Sequence, residues 1–287
     1  MRLGMGCVVL CATLGFTSTA VGQKQTEVPF RLVDGWAVVV RGTLGGEPNR
    51  TILIDTGAVP SAISKDIAKK LGLLGSMEKV SVMNRAIDVE RVRVPNVQVG
   101  PVAAEALEMV AADLGAIERA LQTHLDAVIG LDLLGKQNFA IDYRGKKLLF
   151  GIGVRDADSV TFQLKHAAGG TYVLVPMESG GEKFRMLFDT GTKDITLFRP
   201  RLKGSLQQIR LRSEDATVNA GGSSQINKVV IPSLQLGSIS RREQDAYVWT
   251  TPEAELRDFD GMLGPAALGA IAVEFDFDRN IITMLTR

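Results

Sequence analysis

The second half of this 287-residue chain restates the first. Ile52-Leu53-Ile54-Asp55-Thr56-Gly57-Ala58 returns 134 positions later as Met186-Leu187-Phe188-Asp189-Thr190-Gly191-Thr192. Asp126-Ala127-Val128-Ile129-Gly130 returns as Asp260-Gly261-Met262-Leu263-Gly264, and Ile141-Asp142-Tyr143 as Phe275-Asp276-Phe277, both at that same offset of 134. Between these anchors Val94 to Gly100 matches Ile231 to Gly237 at 137, and upstream Val28 to Leu32 matches Val160 to Leu164 at 132. Offsets that drift and then recover are what loop-length changes between two copies of one unit produce. The chain is therefore expected to form two lobes, 24–153 and 158–287, joined near Gly151 to Asp158.

Within each copy the local pattern is mostly strand. Ala37 to Val40, Thr51 to Ile54, Val80 to Met83 and Leu148 to Phe150 are short aliphatic runs bounded by Gly, Pro, Asn and Asp. Helical signals are few. Ser64 can cap a segment through Leu71 that Gly72 stops, and Leu114, Ile117, Leu121 and Leu125 have helical spacing. The expected fold class is all-β, with a barrel-like lobe present twice.

The segment 1–22 reads as a secretory signal peptide: Arg2, an apolar run from Leu3 to Phe16, then small residues ending Ala20-Val21-Gly22. Cleavage after Ala20 or Gly22 would deliver the protein to the periplasm or the exterior. It would also remove both cysteines, Cys7 and Cys11, so the exported chain is expected to hold together without disulfides. Loss of Arg2 would take one of 33 basic residues and leave them balanced against 32 acidic ones. That balance excludes a polybasic nucleic-acid binder, and no later segment approaches the length that spans a membrane.

Each Asp-Thr-Gly follows a wholly apolar triplet, which places Asp55 and Asp189 at the ends of buried strands. A carboxylate there is costly unless it is paired or hydrogen-bonded. If the lobes face each other across a two-fold axis the two carboxylates meet, share a proton and titrate as a pair. One is then a base and the other an acid at the same pH, which is the equipment for adding water to an amide carbonyl. Thr56 and Thr190 offer hydroxyls that can lock the two loops, and Gly57 and Gly191 permit close backbone approach.

These residues resemble the pepsin and retropepsin group of aspartic proteases. Each copy carries the Asp-Thr-Gly loop and, later, two apolar residues and a glycine: Val128-Ile129-Gly130 and Met262-Leu263-Gly264. Asp55 to Ala58 and Ile129-Gly130-Leu131-Asp132-Leu133-Leu134 are most similar to bacterial retropepsin-like proteins, while the two-copy layout is similar to a pepsin. The resemblance implies a bilobal arrangement of retropepsin-like barrels about a pseudo-two-fold, with a cleft between lobes. It implies an aspartic endopeptidase, a hydrolase that cuts an extended peptide or protein substrate without cofactor or metal. Asp55 and Asp189 would be catalytic, supported by Thr56, Gly57, Ala58, Thr190, Gly191 and Thr192. By turn chemistry the covering hairpins are expected at Met83 to Asp88 and at the Gly221-Gly222 tip.

The chain departs from pepsins in three ways, the first being that pepsin-like disulfides are absent. Its tyrosines, Tyr143, Tyr172 and Tyr247, do not fall where a flap tyrosine would, and position 58 is alanine where its copy, position 192, is threonine. The Thr192 hydroxyl is expected to favour the ionised form of Asp189, leaving the proton on Asp55. Asp126, Asp260, Asp142 and Asp276 are expected in structural turns. His124 and His166 stand apart from any metal-ligand spacing, and Gly151-Ile152-Gly153 reads better as a linker than as a nucleotide loop. The expected form is a monomer free of nucleic acid and membrane. Two readings stand beside it: lobes paired between two chains, and a peptide-binding protein of the same fold that does not turn over.

Overall fold

The computed structural model describes residues 25–82, 85–151, 153, 158–167, 170–209, 212–219, 222–249 and 259–287. The expected leader, the tips of both predicted hairpins and most of the linker lie outside the described residues. Among those described, no helix is long and apolar enough to cross a membrane.

The first copy contains β1 (Thr26–Val33), β2 (Ala37–Leu44), β3 (Glu47–Ile54), β4 (Ala62–Ser64), α1 (Lys65–Lys70), β5 (Gly75–Val82) and β6 (Arg85–Val99). It continues through β7 (Val102–Ala112), α2 (Gly115–Leu121), β8 (Ala127–Ile129), α3 (Leu131–Leu134), β9 (Phe139–Asp142) and β10 (Lys147–Phe150). The second copy follows with β11 (Asp158–Thr161), β12 (Gln163–Ala167), β13 (Gly170–Ser179), β14 (Glu182–Phe188), β15 (Ile195–Phe198), β16 (Ser213–Asn219) and β17 (Gly222–Leu236). It ends with β18 (Ile239–Trp249), β19 (Gly261–Leu263), β20 (Ala270–Asp276) and β21 (Ile281–Thr286). Short 3-10 turns at Arg199–Arg201, Gly204–Gln208 and Pro265–Leu268 stand where the first copy has helices or loops.

Each lobe closes into a barrel. In the first, β2, β3, β8, β4, β7 and β6 are bonded in turn, and Thr43 opposite Gln98 joins β6 back to β2. In the second, β13, β14, β19, β15, β18 and β17 repeat the circuit, closed by Glu178 opposite Gln235. The registers coincide: Leu53 faces Val128 as Leu187 faces Met262, and Ser64 faces Ala112 as Phe198 faces Trp249. Closure leaves few open edges, and alternation along each strand sends one apolar set inward.

The helix expected over 114–125 is shorter than its pattern. Gln122 takes a left-handed conformation and ends α2 after Leu121, while Thr123 to Leu125 run on as loop. The Ser64 cap forms as read: its hydroxyl accepts from the Asp66 N–H at 3.3 Å.

The lobes share a sheet. Strands β11, β21, β20, β9, β10 and β1 lie side by side in that order, so the last strands of each copy sit in its centre. Ala140 pairs with Glu274, its own repeat 134 residues on, and the two-fold axis therefore passes through that pair. Phe139 and Phe275 stack there with centroids 4.8 Å apart, an aromatic contact of the kind that contributes about 0.5–1.5 kcal/mol beyond its buried area. One hydrophobic core runs through both lobes, from Val38 and Ile52 to Phe188 and Val273.

Candidate active site

Parallel pairing of β3 with β8, and of β14 with β19, carries the chain out of each barrel at Asp55 and Asp189. The Asp55 N–H donates to the Ile129 carbonyl at 3.0 Å, and the Asp189 N–H to the Leu263 carbonyl at 3.1 Å. Each loop then turns sharply, so that the Gly57 N–H reaches Asp55 Oδ1 at 2.9 Å and the Gly191 N–H reaches Asp189 Oδ1 at 2.7 Å.

The threonines do not bond their own loop. The Thr56 N–H donates to Thr190 Oγ1 and the Thr190 N–H to Thr56 Oγ1, both at 3.1 Å. The same hydroxyls donate onward, Thr56 to the Phe188 carbonyl at 3.0 Å and Thr190 to the Ile54 carbonyl at 3.3 Å. Both threonines are buried, so four main-chain groups at the lobe junction depend on two hydroxyls.

This exchange presses each glycine against the opposite aspartate. A β-carbon on Gly57 would lie 2.5 Å from Asp189 Cγ, and one on Gly191 would overlap the Asp55 carboxyl group. The later glycines serve the same crowding: a β-carbon on Gly130 would strike the Ala58 carbonyl, and one on Gly264 the Thr192 carbonyl. The repeated Asp-Thr-Gly and apolar-apolar-Gly signals thus have steric reasons.

The two carboxyl groups bond each other at the lobe junction, Asp189 buried and Asp55 half-buried where it meets the cavity. Burial raises the pKa of Asp55, opposed by its bond to Asp189 and by the N–H groups of Gly57 and Ala58. Asp189 is raised well above the ordinary carboxylate range, first by burial and then by the negative charge of Asp55 and their hydrogen bond. Two like charges cannot both persist at this range, so one proton is held between them. Thr192 donates its N–H to the Asp189 main-chain carbonyl at 3.4 Å, as Ala58 does to the Asp55 carbonyl at 3.1 Å.

Ser61 and Asp132 were not singled out by the sequence, yet they brace the first loop. The Ser61 N–H and hydroxyl donate to Asp132 at 2.8 and 2.5 Å, and the Gly130 N–H donates to Ser61 Oγ at 2.9 Å. Burial raises the Asp132 pKa against those bonds. The second lobe has Ile195 and Ala266 at these places, and its Gly264 N–H donates to the Asp194 carbonyl instead at 3.0 Å. Repetition could not reveal a device present in one copy only; the polar Asp132 within an otherwise apolar run was the one available hint.

The other repeated aspartates tie turns. Asp126 accepts the Thr51 N–H at 2.7 Å and Asp260 the Arg185 N–H at 2.8 Å, while Asp142 and Asp276 accept from Gly145 and Arg279 three residues on. His124 is exposed between Glu118 and Asp126. Tyr172 lies edge-on to Phe259 and Tyr143 to Phe30, while Tyr247 stands on β18 opposite Lys228 of β17.

Above the dyad is a cavity of about 440 Å³ reached by Asp55, Gly57, Asp189 and Gly191. Hairpin β5–β6 supplies Val80 and Ile87 to it, and β16 supplies Thr217. The two hairpins are the predicted ones, their last described rungs being Val82 opposite Arg85 and Asn219 opposite Gly222. Helix α2 of the first lobe also touches β16 of the second, which walls the cleft on that side. At its rim Lys193 Nζ lies 3.6 Å from Asp34 across the lobes, and Trp36 bonds the same carboxylate at 3.2 Å.

An aspartyl protease family model matches the chain twice, over residues 40–133 and 175–266. The chain belongs to the aspartyl protease family, in its retropepsin-like branch, and carries the family's unit in tandem. No curated protein matches it.

Proposed function

We propose that this protein is an exported aspartic endopeptidase that hydrolyses peptide bonds with a water activated by Asp55 and Asp189. The observation that carries the reading is the mutually bonded carboxyl pair, Asp189 buried and Asp55 half-buried, facing an interlobe cleft. The ionised carboxyl group of the pair takes a proton from water. Its partner, holding the shared proton, donates to the carbonyl oxygen of the scissile amide. Water oxygen bonds to the carbonyl carbon, giving a tetrahedral diol. The proton taken from water then passes to the amide nitrogen while a diol hydroxyl returns its proton to the other carboxylate, so the C–N bond breaks, releasing an acid and an amine and restoring the singly protonated pair.

Thr56, Thr190, Gly57 and Gly191 hold the two carboxyl groups in register, and Ala58 and Thr192 donate main-chain N–H bonds that shape the loops. The open strand edges at the cleft suit an extended peptide bound by strand addition. Export to the periplasm or exterior rests on the leader pattern at 1–22, and the two tandem units complete the dyad within one chain.

The test is incubation of the mature protein with a mixed peptide library from acid to neutral pH, beside Asp189→Asn. Cleavage by the parent and loss in the variant is the expected result. Retention of peptide without cleavage by either would replace the enzyme with a binding protein, and cleavage surviving in the variant would remove the dyad from the mechanism.

A further inference from the structure

The two lobes superpose in register but not in bulk. At matched places on the walls flanking the dyad the first lobe has Ala37, Ala112 and Val128, and the second has Tyr172, Trp249 and Met262. Leu125 against Phe259 and Val39 against Leu174 go the same way. Each of these five exchanges adds atoms to the second lobe, and all ten residues are buried; at the cavity edge Trp36 against Thr171 goes the other way.

On the second-lobe side those atoms pack against one another. Phe259 meets Tyr172 at 6.0 Å and Phe198 at 5.7 Å between centroids, in a cluster that also holds Trp249 and Met262. On the first-lobe side the smaller residues leave room, bounded by Ile117 and Leu121 of α2 and by Val80 and Ile87 of the hairpin. Among the described residues the cavity thus meets a mainly aliphatic wall on the first-lobe side, with Trp36 at its edge, and the ring-filled wall of Trp249, Phe259 and Met262 on the other. Its volume of about 440 Å³ falls within the roughly 300–1,000 Å³ typical of ligand pockets.

Resting on the dyad as the peptide-cleaving site, we propose that the protein selects peptides with a large apolar side chain on one side of the scissile bond and a small residue on the other, and that Ala112 and Trp249 set this one-sided choice. The large side chain enters the first-lobe pocket, where Ala112 gives it depth. On the opposite side the indole of Trp249 occupies the matching space, so a bulky neighbour there meets a filled wall. A buried aliphatic contact of this kind discriminates by about 10- to 200-fold.

The experiment uses polyalanine octapeptides whose central amide is reduced to CH2–NH, with one leucine placed immediately before or immediately after that bond. Binding to the mature protein is measured by calorimetry, and the same sequences with ordinary amides are assayed for cleavage. One leucine position is expected to tighten binding by about 10- to 200-fold over polyalanine, and the other to leave it unchanged or weaken it. Ala112→Trp should erase the gain, and Trp249→Ala should admit leucine at the second position as well. Since Ala112→Trp enlarges a buried side chain, Ala112→Leu and circular dichroism accompany it, and Trp249→Ala tests the other wall independently.

Equal gains at both positions, binding of none of the probes, or a one-sided gain indifferent to both substitutions would overturn the proposal. One-sided binding without cleavage of the ordinary amides would uphold the pocket and defeat the endopeptidase reading. Cleavage with no sidedness would do the reverse.

Discussion

Replacing Thr56 with valine keeps the shape of the side chain and removes one hydroxyl. That hydroxyl accepts the Thr190 N–H at 3.1 Å and donates to the Phe188 carbonyl at 3.0 Å, in a place with no exposed surface on Thr56. The variant leaves a donor and an acceptor stranded, each costing about 1–3 kcal/mol, so Thr56→Val should destabilise by about 2–6 kcal/mol. Thr190→Val strands a different pair, the Thr56 N–H and the Ile54 carbonyl, and should cost a similar amount. Against a total stability of about 5–15 kcal/mol, the double variant would leave little folded protein. Thr56→Ser keeps both bonds and should lose under about 1.5 kcal/mol for the missing methyl. Equilibrium unfolding in urea, read by tryptophan fluorescence, measures all four proteins. A valine variant as stable as the serine one would refute the assignment of these hydroxyls as the tie between lobes.

The dyad should make the fold acid-tolerant. A carboxyl group whose folded pKa is raised, as burial raises Asp189, adds stability that is present below its unfolded pKa near 3.9 and lost as pH rises through the folded value, at up to about 1.4 kcal/mol per pH unit. Denaturant midpoints should therefore fall from acid toward neutral pH, and Asp189→Asn should flatten that slope; an equally steep decline in the variant would contradict it. Gly191→Ala sets a methyl group into the Asp55 carboxyl and should cut peptide cleavage by about 100-fold while secondary structure persists in circular dichroism. Unimpaired turnover would mean that the loops do not approach as described.

The repeat was legible because loops that meet across a two-fold must both satisfy the same sterics. Gly57 and Gly191 face the opposite carboxyl groups, and Gly130 and Gly264 face carbonyls, so mutation at any of them is costly and the words survive in both copies. What only one copy needs left no echo. Ser61 and Asp132 brace the first loop by side chains, where the second uses a main-chain carbonyl, and no comparison of halves could expose that. The shared sheet was hidden for another reason: β9 and β20 read alike as buried strands, and their pairing is set by the geometry of two lobes together. The bulk difference between Ala112 and Trp249 was present in the letters, but it acquires meaning only once the rungs opposite Ser64 and Phe198 show them to be the same place.

Because Ala140 meets Glu274 at the centre of the common sheet, the molecule has no seam along which it divides cleanly. Severing the linker and producing either half alone would tear a strand from mid-sheet and bare the stacked Phe139 or Phe275 beside it. A split version for protein engineering must accordingly be made from both pieces together, each serving as the other's missing border.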